Sequence, residues 1–340
     1  PFCKVPKLMQ EIHGGGRVTL SILEQLLEVQ PCLSEWEHLT NAIAHSSHRP
    51  IYLDLPNYGC QAAGIFDEQA CRVAQAALMC LYVSIVIIDD ILDEELQGWH
   101  VELSSGEASN MAAVLQAAGC KLLLASAASP EAKLRALDAY NQTIVATGYG
   151  QYRDISLSTN SEEAYWQIVT AKSVPFFSFA FQIGAILSGA PLEVDDAIVF
   201  LGTLFGEMVQ IQDDLRDTME PTISPDWQKT VPPLPILFAE QVPHPEQAAF
   251  LKLRNNIEKP GNLHKAQQIL IRCGAISYGF DQLMQRYAAA LTFIESYDSL
   301  QNAPLYKVFR KLVEPVQELM MFAGIPHFVD DFEATLSFSG

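Results

Sequence analysis

Residues 87–95 read IIDDILDEE and residues 210–217 read QIQDDLRD, and each closes a long apolar run of helical period. They place Asp89, Asp90 and Asp93 in one cluster and Asp213, Asp214 and Asp217 in another. Residues i and i+4 share one face of an α-helix, so each pattern aims two carboxylates the same way. One such pattern alone is satisfied by a solvated helix end. Two copies, both ending apolar stretches, describe a cage for cations. All-oxygen ligands with no His or Cys beside them suit a hard cation, Mg²⁺ above all. Mg²⁺ held by few carboxylates completes its shell with water and phosphate oxygens, so the implied ligand is phosphorylated.

Outside the two clusters, apolar residues recur at i, i+3, i+4 and i+7 between Pro and Gly breaks, and strand signals are nearly absent, so the fold class is all-α. The spacing predicts helices over 17–30, 34–46, 67–96, 106–127, 130–157, 161–188, 193–219, 246–257, 262–273, 276–297 and 304–323. Asp67 and Ser161 stand where N-caps belong. The proline-rich stretch 220–245 reads as a loop, placed to close over a metal site. No Pro/Gly/Ser linker divides the 340 residues, so a single domain over 1–340 is expected.

The chain carries 21 basic against 40 acidic residues, a formal charge of −19. That balance argues against a nucleic-acid backbone or an anionic membrane surface as partner. Seven cysteines, scattered and without CxxC spacing, fit free thiols in a reducing, cytoplasmic compartment rather than a zinc site. The longest apolar stretch, Ala76 to Ile88, is shorter than a membrane span, so stable membrane insertion is not expected.

Lys172 lies in an otherwise aromatic and apolar helical run, EAYWQIVTAKSVPFFSFAFQIG, where a lone lysine must snorkel or meet an anion. Pro175 has no N–H, which frees the carbonyl of Ala171 and bends the helix there, so that a free dipole is expected to face a cavity, unless the kink only shapes packing. Phe176, Phe177, Phe179 and Phe181 read either as core or as π-faces for a cation. Gln151 and Asp154, in TGYGQYRDIS, share a helical face beside Gly150. Arg286 and Tyr287 read as surface and core side by side, and Lys229 by itself as a surface lysine.

Taken together, these stretches resemble the trans-isoprenyl diphosphate synthase family, in order, from about residue 45 to about residue 240. DDILD is similar to the family's first aspartate-rich motif, GQYRD to its GQxxD helix and AKS to its lysine segment. GEMVQIQDDLRD is similar to GxxxQxxDDxxD, and QKTVPPLPILFA to the later lysine-containing segment. The resemblance implies a helix bundle around a deep apolar cavity, three Mg²⁺ bridging the acids to an allylic isoprenyl diphosphate, and a homodimer. It implies Asp89 and Asp93 as ligands of two Mg²⁺ with Asp90 in support, and Asp213 as the main ligand of a third, with Asp214 and Asp217 in the metal site orienting its waters or the lysines. It also implies that Lys172 and Lys229 grip the diphosphate while Gln151, Asp154 and Gln210 line the site.

The departures concern the second substrate. Where the family binds isopentenyl diphosphate through a GGKxxR segment and an Arg-Arg-Gly, this chain reads AHSSHRP and EELQGWHVELSSGE, and only Arg49 survives. Charge-assisted bonds of this kind contribute roughly 1.5 to 3 kcal/mol each. The expectation is therefore a terpene synthase that ionises one allylic diphosphate to a hydrocarbon or alcohol, the substrate being linear or already bicyclic. A prenyltransferase with another acceptor, and a chain-elongating synthase, are the alternatives. Ser84 and Ile85, one turn before Asp89, are expected to leave room for a twenty-carbon tail.

Overall fold

The computed structural model describes residues 17–46, 50–93, 98–156, 160–300 and 302–322, and no strand occurs among them. The first half contains α1 (Arg17–Val29), α2 (Glu37–Ser46), α3 (Pro50–Ala62), α4 (Glu68–Leu92), the single turn α5 (Trp99–Glu102), α6 (Ser105–Ala125) and α7 (Pro130–Ser156). The second half contains α8 (Glu162–Lys172), α9 (Val174–Leu187), α10 (Leu192–Met219), α11 (Leu234–Gln241), α12 (Gln247–Arg254), α13 (Asn262–Arg272), α14 (Ala275–Ser296) and α15 (Asn302–Phe322).

The centre of the bundle is α9, VPFFSFAFQIGAIL, which offers water almost no polar face and is packed by α3, α4, α7, α8 and α10. Small residues set its closest approaches. A Cβ at Gly59 of α3 would collide with the carbonyl of Phe181, and a Cβ at Gly184 of α9 with the carbonyl of Pro56. Phe181, Phe205 and Phe309 pack edge-to-face around this contact, with ring centroids 5.1 and 5.6 Å apart. Phe179 meets Tyr140 on the other side of α9, at 5.6 Å. Phe179 and Phe181 are thus core residues, not a wall for a cation.

Both expected N-caps are present. Asp67 accepts the Ala70 N–H at 3.0 Å to start α4, and Ser161 accepts the Ala164 N–H at 3.1 Å to start α8. The predicted helix 161–188 is two helices, α8 and α9, broken at Ser173 with Pro175 in the first turn of α9. The freed Ala171 carbonyl does not face a cavity: the Ala171–Lys172 peptide lies against Gly150, where a Cβ would collide with it. Helix α3 was not expected, because Pro56 sits inside it and its prolines and glycine read as breaks. The predicted loop 220–245 contains a 3₁₀ turn, Pro225–Gln228, and all of α11.

Three stretches, Glu68–Leu92, Ser105–Ala125 and Glu162–Leu187, are long and apolar enough to cross a membrane. In this fold 72 % of the apolar window of Glu68–Leu92 is buried inside the protein.

Candidate active site

The first acid cluster occupies the last turn of α4, where Asp93 is the C-cap residue and its N–H bonds the Asp89 carbonyl at 2.8 Å. The second occupies the last turns of α10, which ends at Met219. Both clusters therefore add negative charge to the negative end of a helix dipole, an unfavourable place for carboxylates unless cations attend them.

Two lysines do so. Lys172, the last residue of α8, reaches Asp89 Oδ1 at 2.8 Å and Asp154 Oδ2 at 3.0 Å. Gln151 Nε2 donates to the same Asp89 oxygen at 2.5 Å. Gly150 makes this possible, since the contact of its bare Cα with the Ala171–Lys172 peptide brings the end of α7 against the end of α8. Lys229, just after the 3₁₀ turn, reaches Asp93 Oδ2 at 3.1 Å and Asp226 Oδ1 at 2.9 Å. Burial alone would lower both ammonium pKa values. For Lys172 the charges of Asp89 and Asp154 outweigh it, and for Lys229 those of Asp226, Asp154 and Asp93, so both groups stay protonated. Asp154 serves both lysines.

The second cluster has its own cation. Arg216 bonds Asp213 Oδ1 and Asp217 Oδ1, each at 3.0 Å. Burial raises the Asp217 carboxyl above its ordinary range, with Arg216 opposing and Asp226 adding to the rise. Asp217, Asp226, Lys229 and Asp93 therefore form one electrostatic chain joining the two clusters.

Asp214 departs from the expected ligand set. It is 5 % exposed and accepts the Leu234 N–H at 2.8 Å and Gln210 Nε2 at 2.9 Å, on the wall of the cavity it lines with Lys172, Lys229 and Asp154. Burial pushes its pKa up to about 7 against these hydrogen bonds. Gln210 is itself held by Ser173 Oγ at 2.8 Å. Asp214 thus pins α10 to the start of α11, and it sits about 100° around the helix from Asp213. Asp90 lies against Gly98 on another side of α4, also apart from Asp89 and Asp93.

Among the described residues no three acidic, His or Cys side chains converge into a ready-made metal centre. The donor set nevertheless fits Mg²⁺, which binds through one or two carboxylates and takes its other ligands from water and phosphate. Gln151 Oε1, buried and without a protein partner beside Asp89, is a further oxygen of the right kind.

Ser84 does not line a pocket: it is fully buried, and its hydroxyl donates to the Leu81 carbonyl at 2.7 Å. Ile85 is half-buried on the neighbouring position. The bulk near the cage comes from aromatic rings instead. Tyr82, two turns before Asp89, meets Tyr52 at 6.0 Å and Phe176 at 5.8 Å, and Tyr52 meets Phe177 at 5.1 Å. Arg49 lies outside the described residues. Arg286 stacks over Trp166 at 4.1 Å and pairs with Glu207 at 2.9 Å, while Tyr287 is buried, so neither belongs to the site. Sequence reasoning missed Asp226, Arg216 and Ser173; Asp226 was findable from its i,i+3 spacing to Lys229.

The sequence pattern of the polyprenyl synthetase family matches residues 47–271. The chain belongs to that family. It is 26 % identical over 289 residues to nonaprenyl diphosphate synthase of Mycobacterium tuberculosis, covering 81 % of this chain and 84 % of that one. To octaprenyl diphosphate synthase of Escherichia coli it is 22 % identical over 287 residues, covering 81 % and 86 %. In three dimensions it is similar to geranylgeranyl pyrophosphate synthetase of Pyrococcus horikoshii, with a TM-score of 0.73 at 19 % identity over 91 % of this chain and 98 % of that one. The geranylgeranyl pyrophosphate synthase of Corynebacterium glutamicum, solved with isoprenyl diphosphate and magnesium, gives 0.73 at 17 % identity over 87 % and 97 %. These likenesses establish the all-α isoprenoid synthase fold.

They also correct the expected reaction. The relatives are named as nonaprenyl, geranylgeranyl and octaprenyl diphosphate synthases, not as terpene synthases. The scarcity of basic residues around Ser46 and Gly98 therefore does not make this chain a terpene synthase.

Removing the Asp214 carboxylate orphans the Leu234 N–H, a loss of about 1–3 kcal/mol. Asp214→Ala is expected to lower the melting temperature without Mg²⁺ present by more than Asp213→Ala, whose pair with Arg216 is partly exposed. Thermal denaturation of the two variants checks this, and equal melting temperatures would contradict the pinning role of Asp214.

Proposed function

We propose that this protein is a divalent-metal-dependent prenyltransferase that ionises an allylic isoprenyl diphosphate and adds its prenyl group to isopentenyl diphosphate. The observation that carries the reading is the placement of Lys172 and Lys229, each bound to an aspartate of the first cluster and each near Asp154. Two ammonium groups held beside the acids would grip the terminal phosphate oxygens as negative charge develops on the leaving diphosphate.

Asp89, Asp93, Asp213 and Asp217 would hold the metal, with Gln151 beside Asp89. Three Mg²⁺ is the complement that the family resemblance implies, and divalent cations so placed would neutralise the departing diphosphate. Asp154 keeps both lysines charged and oriented. The allylic C–O bond breaks with its electron pair leaving on the diphosphate, the acceptor's π pair closes the new C–C bond, and a proton leaves the adjoining carbon. Tyr82, Tyr52 and Phe176 stand where the growing chain would run, so they would limit its length.

One observation favours a second reading in which the acceptor carries no diphosphate. Across 44–50 and 94–107 the only lysine or arginine is Arg49. Incubation with Mg²⁺, isopentenyl diphosphate and allylic diphosphates of ten, fifteen and twenty carbons, followed by mass spectrometry, separates the two. Longer diphosphates are expected; failure to consume isopentenyl diphosphate with any allylic partner would overturn the first reading in favour of the second.

A homodimer forms part of the same proposal. The outer face of α7 exposes Leu134, Val145, Tyr149, Tyr152 and Ile155 by 54 to 69 %, an apolar stripe at helical spacing that a second copy would cover. Light scattering after size exclusion should give twice the chain mass, falling to one chain mass in Leu134→Glu/Val145→Glu. A monomeric native protein would contradict this.

A further inference from the structure

Behind Lys229 lies a buried network that the proposed chemistry does not itself use. Arg254, the last residue of α12, turns its guanidinium inward and is 13 % exposed. Its Nε donates to the Trp227 carbonyl at 3.0 Å and its Nη2 to the Lys229 carbonyl at 2.6 Å. Its Nη1 pairs with Glu240 of α11, which is 8 % exposed. The other Glu240 oxygen accepts from Asn160 Nδ2 at 2.8 Å, a residue just before α8.

The segment so held is anchored by buried Trp227 and Val231, and its carbonyls at 227 and 229 find their partner in Arg254. After the 3₁₀ turn the chain runs Lys229, Thr230, Val231, Pro232, Pro233, and the two prolines supply no N–H to pair with nearby carbonyls. One planar guanidinium satisfies the carbonyls on both sides of Gln228 at once and fixes their separation. An ammonium, a single point charge on a flexible stem, cannot span the same fork. Glu240 in turn fixes the plane of the guanidinium, so the orientation is determined from α11 and the approach to α8.

We propose that Arg254 is a positioning residue that presents Lys229 to the diphosphate site, acting through the backbone of residues 227–229 and oriented by Glu240. This rests on the reading of Lys229 as a diphosphate-gripping residue. Arg254 touches no substrate. Its role is to hold the Lys229 ammonium within reach of Asp93 and Asp226 so that little ordering is left to be done when the diphosphate arrives.

The test is calorimetric titration of inorganic pyrophosphate, in the presence of Mg²⁺, into the full-length protein and its variants. The native protein is expected to bind, and Arg254→Lys, which keeps the charge and loses the fork, to bind about tenfold more weakly. Glu240→Gln should show a smaller loss of the same kind, and it covers the case in which Arg254→Lys does not fold. Arg272→Lys, at the exposed pair with Glu246, should bind as the native protein does. In a Lys229→Ala background Arg254→Lys or Glu240→Gln should cost nothing further, because the group being positioned is gone. Native affinity in both folded variants, or an undiminished loss in the Lys229→Ala background, would overturn the proposal. A native protein that binds no pyrophosphate would instead overturn the reading of the site, and the inference with it.

Discussion

The site is governed by a concentration of negative charge at the carboxyl ends of two helices. Asp89 and Asp93 finish α4, and Asp213 and Asp217 finish α10, each adding to a helix end that is already negative. Such an arrangement folds only if cations are supplied. The protein supplies three of its own: Lys172, Lys229 and Arg216 each lie about 3 Å from at least one of these carboxylates. In the absence of metal the cage is therefore a set of internal ion pairs. Metal held by these acids would release the lysines, and a diphosphate would give those lysines a new partner, so the two ligands would favour each other's binding.

Much of the surrounding structure follows from placing these cations. Gly150 lets α7 and α8 touch, which sets Gln151 and Asp154 beside Lys172. The break at Ser173 ends α8 at that lysine and turns the Ser173 hydroxyl towards Gln210. Gln210 and Asp214 then hold the start of α11, and through it the strap that carries Lys229. Burial disfavours the charged form of Asp214, and its bonds to the Leu234 N–H and Gln210 oppose that while fixing the end of the strap.

Sequence showed the fold class and the chemical theme because both rest on local pattern. Helical period, the caps at Asp67 and Ser161, and the spacing of the acids are properties of neighbouring residues. What failed depended on tertiary partners. A DDxxD pattern states that Asp89 and Asp93 share a face, but not that Asp214 turns inward to meet Leu234. Helix α3 was hidden because Pro56 reads as a break, although packing against Gly184 tolerates it. Ser84 looked like pocket lining, yet its hydroxyl had a local carbonyl to satisfy at Leu81. The reaction departs for a different reason: missing basic residues weigh as a missing substrate, while the relatives that share most of this chain are named as prenyl diphosphate synthases.

The central claim is that internal cations occupy the cage until metal and diphosphate enter together. Calorimetric titration of Mg²⁺ into the protein, with and without inorganic pyrophosphate, tests it most directly. Weak Mg²⁺ binding alone and much tighter binding with pyrophosphate is the predicted result, because each ligand removes the obstacle to the other. Equally tight Mg²⁺ binding in both titrations would contradict the account, since the acids would then be free for metal without releasing their lysines.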